Sequence, residues 1–324
     1  MEKISNSFIF NSDFLMKLLF KKIIVFILIL AVIGELAIRQ FHLAPDIPSL
    51  YLDSNGIQRY VPGQTGYFTK AEKAWSVNRF GWLGVCDTSK DTIISIIGDS
   101  YIENIMNPIE CNQGSYLKTS LPQYSFFEAG RSGITFIEAL EISHALQKEI
   151  HPAYQLLYIN ENDFYESVSE INRYDDRVQI SIQEQKILKS EIKNPGIKKL
   201  LYASKLAYYL YLKSMAFMSS LTQKKNTSES NQKDLYDAVL FDKLFNYCMK
   251  HYDMQKIIFV LHPEVDERFV SLIHKYGIKT ISLKITDHQQ WSKSKNDEHW
   301  SCFGHEQVSN QVTIYLNSLM INNQ

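Results

Sequence analysis

The sequence predicts an α/β fold built on a five-stranded parallel sheet with helices on both faces. Three observations predict it. The run Ile93 to Ile97 is β-branched and apolar, broken only by the small Ser95, the pattern of a strand buried on both sides. Further strand-length runs recur at residues 125–129, 154–159, 256–261 and 280–283. Segments with helical spacing separate most of them, as crossovers between parallel strands require.

In chain order, residues 1–13 are polar and the run from Ile23 to Ile38 is almost unbroken aliphatic. Lys17, Lys21 and Lys22 precede this run, Glu35 lies near its far end and Arg39 follows it. A helix needs about 20 apolar residues to cross a bilayer, with a tolerated range starting near 17. These features predict a cytoplasmic segment over residues 1–22 and a transmembrane anchor over 23–40, oriented by the positive-inside bias. No small-residue cleavage site follows, which favours a retained anchor over a removed signal peptide. The chain is then expected to be a single-pass protein of the inner (cytoplasmic) membrane, its main domain periplasmic or otherwise extracytoplasmic. A buried amphipathic helix is the alternative.

Residues 41–90 are rich in Pro, Gly and Tyr and read as an irregular lead-in of short strands and turns. The main domain is expected over 91–324. Within it, residues 135–150 place Phe136, Ala139, Leu140, Ile142, Ala145 and Leu146 on one broad helical face. Helices are also expected over 264–276 and 303–319. The alternation is interrupted at about 164–250 by a helical insertion. It holds a run at 197–221 crowded with Leu, Tyr, Ala and Met, then a polar spacer at 222–233 that reads as a loop. Tyr202, Tyr208, Tyr209 and Tyr211 fit core packing, or a lid on the main domain, better than a carbohydrate platform.

Composition excludes several classes. Lys and Arg total 34 against 35 Asp and Glu, for a net charge of −1, so no basic excess points to nucleic acid. The four cysteines, Cys86, Cys111, Cys248 and Cys302, form no C-x-x-C pair and no zinc spacing. In an oxidising compartment Cys86 and Cys111 are a candidate pair across the first strand, and buried free thiols are the alternative. No metal site, phosphate loop or nucleotide fingerprint is present, so no cofactor is expected.

The chemistry gathers at strand ends. The first strand stops at Gly98-Asp99-Ser100, and residues 101–106 are compatible with a helix. A serine there is held rigidly, beside free N–H groups that face developing negative charge. The plainer alternative is a helix cap. Ligands of open parallel sheets bind outside the carboxyl ends of the strands. Ser100, the loop Gly130-Arg131-Ser132-Gly133 and Asn162 all follow strand ends, so they should converge on one edge. The last loop before the closing helix carries Asp297-Glu298-His299-Trp300, with Gly304 after it. An Asp two residues from a His can orient the imidazole if the chain is extended or turned. Nucleophile, base, orienter and oxyanion donors are the parts a serine hydrolase needs.

Gly98-Asp99-Ser100, the Gly-x-Ser-Gly turn at Gly130, Asn162-Asp163 and Asp297/His299 resemble the ordered blocks of the SGNH/GDSL hydrolases, in order and spacing, over residues 93–319. The resemblance implies a flavodoxin-like three-layer α/β/α fold. It implies Ser100 as nucleophile, His299 as general base and then acid, and Asp297 as its orienter. The backbone N–H groups of Ser100 and Gly130, with the Asn162 side chain, would form the oxyanion hole. Three departures stand out. Asn160 replaces a Gly two residues before Asn162, and Asn104 replaces the usual Gly four residues after the nucleophile. Asn296 stands where the commoner Asp-x-x-His block has Asp, leaving either Asp297 or a backbone carbonyl to orient His299. The Asp-x-His-Trp form is similar to a variant in SGNH-like proteins that O-acetylate bacterial exopolysaccharides.

The function so implied is a membrane-tethered extracytoplasmic serine esterase. It would remove short acyl groups, acetyl above all, from cell-surface carbohydrate through an acyl-serine intermediate. The same triad would serve an O-acyltransferase. A non-catalytic glycan-binding protein on a hydrolase fold is the remaining class, against which the intact Ser100, Asn162 and His299 speak. Other residues rank lower: His305 as a surface or capping histidine, His262 as lining the site or satisfied beside Pro263, Glu103 and Glu161 as poorly placed for paired acid/base work. Asp99 reads as a turn or capping residue.

Overall fold

The structure, a computed structural model, describes residues 5–69, 73–193, 196, 201–222, 236–294 and 297–321. In chain order, α1 (Ser5–Gln40) precedes two antiparallel hairpins, β1 (Leu50–Leu52) with β2 (Gln58–Tyr60) and β3 (Thr65–Phe68) with β4 (Lys73–Ser76). The alternating part begins with β5 (Ile93–Gly98), α2 (Ser100–Glu103), α3 (Gln113–Ser120) and β6 (Ser125–Gly130). It continues with α4 (Phe136–Glu149), β7 (Tyr154–Ile159) and α5 (Glu161–Ser167). A small hairpin, β8 (Gln179–Ser181) with β9 (Lys186–Leu188), and helix α6 (Lys205–Thr222) follow. The sheet is completed through α7 (Ala238–His251), β10 (Ile257–Leu261), α8 (Glu267–Lys275) and β11 (Lys279–Ser282). Last come α9 (His288–Trp291), β12 (Ser292–Ser294), β13 (Asp297–Trp300) and α10 (Cys302–Ile321).

The larger of two compact units comprises residues 47–195 and 228–324. Its centre is the expected five-stranded sheet, in the order β11-β10-β7-β5-β6 with every pairing parallel. Side chains alternate across each strand, so consecutive residues feed opposite layers. Ile97, Leu157, Ile159, Phe259 and Leu261 enter one core with α4, α5, α7 and α8. Ile94, Ile96, Leu156, Tyr158, Ile258 and Val260 enter the other with Ile102, Leu117 and, from α10, Val308, Val312 and Leu316. That is a three-layer α/β/α arrangement. The one polar interruption of β5 is satisfied inside the sheet: Ser95 pairs in register with Gln155, and its hydroxyl donates to the Gln155 Oε1 at 3.1 Å.

The lead-in is part of this unit. Leu83 and Cys86 bridge antiparallel to Gly130 and Phe127, which covers the open edge of β6. Ile57 and Trp82 are fully buried in the first core, and Arg59 reaches Glu149 of α4 at 2.5 Å. A boundary at residue 90 therefore cuts through one core, and the division expected there is corrected to one near residue 46.

The smaller unit, residues 1–46 and 196–227, contains α1 and α6. Leu206 of α6 packs over Gly34. Glu35 caps α6, accepting from the Lys205 N–H at 3.0 Å and the Leu206 N–H at 2.7 Å. The carboxylate that interrupts the apolar run thus has a local partner, the open end of a second helix. Of the insertion expected at about 164–250, residues 164–195 and 236–250 belong to the larger unit, whereas α6 belongs with α1.

The expected crossing segment at 23–40 is also revised. Among the described residues no helix is long and apolar enough to cross a membrane. The uncharged stretch runs only from Ile23 to Gly34, roughly 18 Å of helix. The polar spacer at 222–233, apart from Thr222, lies outside the described residues, as do residues 197–200 and Asn296.

Candidate active site

Ser100 is the first residue of α2, directly after β5. Asp99 is the N-cap, its Oδ1 accepting from the Tyr101 N–H at 3.0 Å, which is the capping role expected of it. The helix expected to reach residue 106 stops after Glu103, because Asn104 adopts a left-handed conformation with φ 48°. Glycine and asparagine are the residues that tolerate this conformation, so Asn104 substitutes for Gly at no cost to the turn. Its Nδ2 donates to Asn112 Oδ1 at 2.8 Å, a bond glycine would not offer.

Asp297 and His299 lie on a strand, β13, paired antiparallel with β12, rather than in the loop expected there. Side chains two residues apart on a strand point the same way. His299 Nδ1 accordingly lies 2.6 Å from Asp297 Oδ1, and His299 Nε2 lies 2.9 Å from Ser100 Oγ. Asp297 accepts the Nδ1–H, which leaves Nε2 as the acceptor for the serine hydroxyl. The structure brings together Ser100, His299 and Asp297, from segments 199 residues apart.

The site opens into a cleft of about 570 Å³ that also reaches Asn160, Asn162 and Gly133. Asn162 follows β7 in the first turn of α5 and is exposed, its carboxamide available to a ligand. The replacement of Gly by Asn160 has a structural use. Asn160 caps α5 in a capping box with Asp163, and its Nδ2 donates to Asp99 Oδ2 at 2.8 Å, tying the ends of β5 and β7 together.

Gly130 does not line the cleft. It ends β6, its main chain is bridged to Leu83, and the backbone of α2 packs against its α-carbon. The glycine that borders the cleft is Gly133, at φ 75°. The place beside the cleft expected for Gly130 is thus taken by Gly133.

Burial and charge set the local protonation. Burial pushes Asp99 up to about 6, against the pull of the Tyr101 N–H and His299. Burial and the neighbouring Asp99 push Asp163 well above the carboxylate range. His262 lines the cleft, and burial lowers it to about 4, so it is neutral near pH 7. Its ring stacks on Trp300 at 5.8 Å, and Tyr101 packs on His262, His299 and Trp300 at 4.8–5.3 Å. Sequence reading assigned no site role to Tyr101, whose ring packs on the His299 imidazole and is backed by Trp300.

His305 is not at the surface. It is 1% exposed, accepts from Gln113 Nε2 at 3.1 Å and packs edge-on against Trp300, and burial lowers it to about 3. Cys302, three residues after His299, is disulfide-bonded to Cys111, while Cys86 is free and exposed and Cys248 free and buried. The pairing of Cys86 with Cys111 is therefore corrected. The fold brings residue 302 to the start of α3 on the same side of the sheet, and Cys86 faces outward from the β6 edge. Among the described residues no group of His, Cys, Asp and Glu is arranged to hold a metal.

No family model and no curated protein matches the sequence. Among solved structures, the chain is similar to TesA at TM-score 0.39 and 10% identity, over 70% of this chain and 99% of that one. It is similar to the psychrotrophic esterase EstA from Pseudoalteromonas sp. at TM-score 0.39 and 10% identity, over 71% and 99%. It is also similar to a putative GDSL-like lipase from Bacteroides ovatus at TM-score 0.35 and 16% identity, over 70% and 98%. These are likenesses of chain path, and the chemistry rests on Ser100, His299 and Asp297 themselves.

Proposed function

We propose that this chain is a serine esterase acting through an acyl-Ser100 intermediate. One observation carries it: the unbroken relay from Ser100 Oγ through His299 to Asp297, at the carboxyl end of a parallel sheet and open to a cleft. His299 Nε2 takes the Ser100 proton as Oγ attacks the ester carbonyl carbon. The resulting oxyanion is met by the N–H groups of Ser100 and Gly133 and by the Asn162 carboxamide. Collapse expels the alcohol, whose oxygen receives the proton from His299. A water then attacks the acyl-enzyme, giving its proton to His299, and the second collapse releases the acid and returns the proton to Ser100.

The lining supports a short acyl group on a hydroxyl-rich alcohol such as carbohydrate. Asn160, Asn162, Glu161, Glu264 and Arg177 border the cleft and offer hydrogen bonds rather than an apolar channel for a long chain. Membrane tethering belongs to the same proposal. Phe14, Phe20, Phe26 and Leu30 of α1, and Leu210 and Met215 of α6, are all at least half exposed. Lys21, Lys22 and Arg39 can extend their stems and keep their charges in the headgroup layer. The Cys111–Cys302 bond supports an oxidising, extracytoplasmic setting for the larger unit.

The test is labelling of the full-length protein in detergent with a fluorophosphonate, wild type against Ser100→Ala. Acetylated glycans are then offered with and without an acceptor glycan. Labelling lost only in the variant, with release of acetate, is the expected result. Acylated acceptor in place of acetate would assign acyl transfer instead, and equal labelling of both proteins would end the serine-enzyme reading. For the tether, the chain should stay with the membrane fraction after carbonate washing and leave it in detergent.

A further inference from the structure

Glu103 lies on the four-residue helix that begins with Ser100, and the relay does not use it. It is 4% exposed, yet its carboxylate is fully engaged: Oε1 accepts from the Tyr60 hydroxyl and Oε2 from the Ser132 hydroxyl. Burial and the Glu103 charge push the Tyr60 phenol well up, which keeps it a donor. Buried beside the cluster is Arg131, paired with Glu138, so the carboxylate faces compensating positive charge. The three ends of this cluster are informative. Glu103 belongs to the nucleophile's helix, Ser132 is the neighbour of Gly133 at the cleft, and Tyr60 ends β2 in the lead-in.

The backbone is built to allow the contact. A Cβ at Gly130 would sit 2.6 Å from the Ile102 carbonyl carbon and closer still to the Glu103 nitrogen. Only glycine lets α2 settle this near to β6 and bring Glu103 within reach of Ser132. In the loop that follows, Gly133 holds φ 75°, so its N–H direction is set by how residues 131–133 are held.

We infer that Glu103 is a positioning residue: through Ser132 it locks the Gly133 loop to the Ser100 helix, and through Tyr60 it anchors both to the lead-in. The two backbone donors at the oxyanion position then move as one body with the nucleophile. A carboxylate suits this joint because it accepts two hydroxyl donors at once, whereas a glutamine can accept from only one of them through its single oxygen without turning an N–H₂ on the other. The inference rests on the proposed serine chemistry, and its consequence falls on kcat, since donors aimed at the oxyanion act in the transition state.

The experiment measures kcat and KM of the full-length protein on a soluble acetyl ester for wild type, Ser132→Ala, Ser132→Thr, Tyr60→Phe and Glu103→Gln, with melting temperatures alongside. Ser132 is exposed, so its truncation leaves the core intact. Expected for Ser132→Ala is a fall in kcat of about 10- to 100-fold with KM changed less than about threefold. Thr at the same position, which keeps the hydroxyl, recovers most of that loss. Glu103→Gln and the Glu103→Gln/Ser132→Ala double variant should fall by similar factors, because both remove one joint. A folded Ser132→Ala and a folded Tyr60→Phe that both keep wild-type kcat would overturn the inference while the serine reading stands. A wild-type protein without esterase or transferase turnover, and without Ser100 labelling, would instead sink the reading beneath it.

Discussion

At Ser100 the hydroxyl proton has an acceptor 2.9 Å away, and the imidazole that takes it is itself held 2.6 Å from Asp297. That geometry decides between the two orienters left open by Asn296, because a side-chain carboxylate occupies the Nδ1 position. Asp297→Asn should therefore lower kcat by about 10³- to 10⁴-fold, as loss of the correct tautomer does in serine triads, measured as turnover of a soluble acetyl ester. Asn162→Ala should cost about 10²- to 10³-fold in kcat with KM little changed, the signature of a donor used in the transition state. Away from the site, Glu128 is fully buried and accepts from the Gly114 N–H at 2.7 Å and the Val85 N–H at 2.6 Å. Burial nevertheless pushes it up to about 7 from 4.5. The native state then holds a proton that the unfolded chain releases, so this group's contribution falls as pH rises from about 4.5 to 7. Urea unfolding of wild type and Glu128→Gln across that range should differ in slope by up to about 1.4 kcal/mol per pH unit, the wild type being the steeper. Ser100, Asn162, Asp297 and His299 could be picked out in the sequence because the chemistry proposed for each demands a particular side chain. That Gly133 rather than Gly130 borders the cleft was not legible, because a glycine has no side chain to mark its place and only backbone direction separates the two.

At the scale of elements, period and composition carried the strands well. All five sheet strands fall within a residue of where the apolar runs place them, since a doubly buried strand admits little else. The ends of α2 and the placement of Asp297 and His299 were not legible in the same way. Asn104 stops the helix by its φ, and β13 forms only because β12 lies beside it, a pairing with no long apolar run to announce it. The Cys111–Cys302 bond joins the start of α10, just past β13, to the segment entering α3, across 191 residues. Closing so long a loop restricts the unfolded chain strongly. Reduction, or Cys111→Ser with Cys302→Ser, should cost about 2–5 kcal/mol in denaturant unfolding, and activity should fall at temperatures where the wild type still works. Unchanged stability under reductant would show that the bond does not form in the native protein.

For the whole molecule, the larger compact unit, which holds Ser100, His299 and Asp297, begins near residue 47 rather than at the first sheet strand. Ile57 and Trp82 sit in the core, Arg59 binds Glu149, and residues 83–86 seal the edge of β6. A chain started at residue 91 should lose its cooperative thermal transition by circular dichroism and aggregate through the exposed β6 edge, whereas full-length protein unfolds cooperatively. Sequence alone determined the alternating α/β plan, the strand positions, and the choice of Ser100, His299 and Asp297 as the residues that come together at the sheet edge. Those depend on local periodicity and on side-chain chemistry, both written residue by residue. Tertiary structure alone decided which glycine faces the cleft, which cysteines pair, that the lead-in shares the core, and that α6 joins α1 through Glu35. Each of these is a meeting of segments far apart in the chain, and such meetings are set by packing and backbone direction that no local pattern encodes.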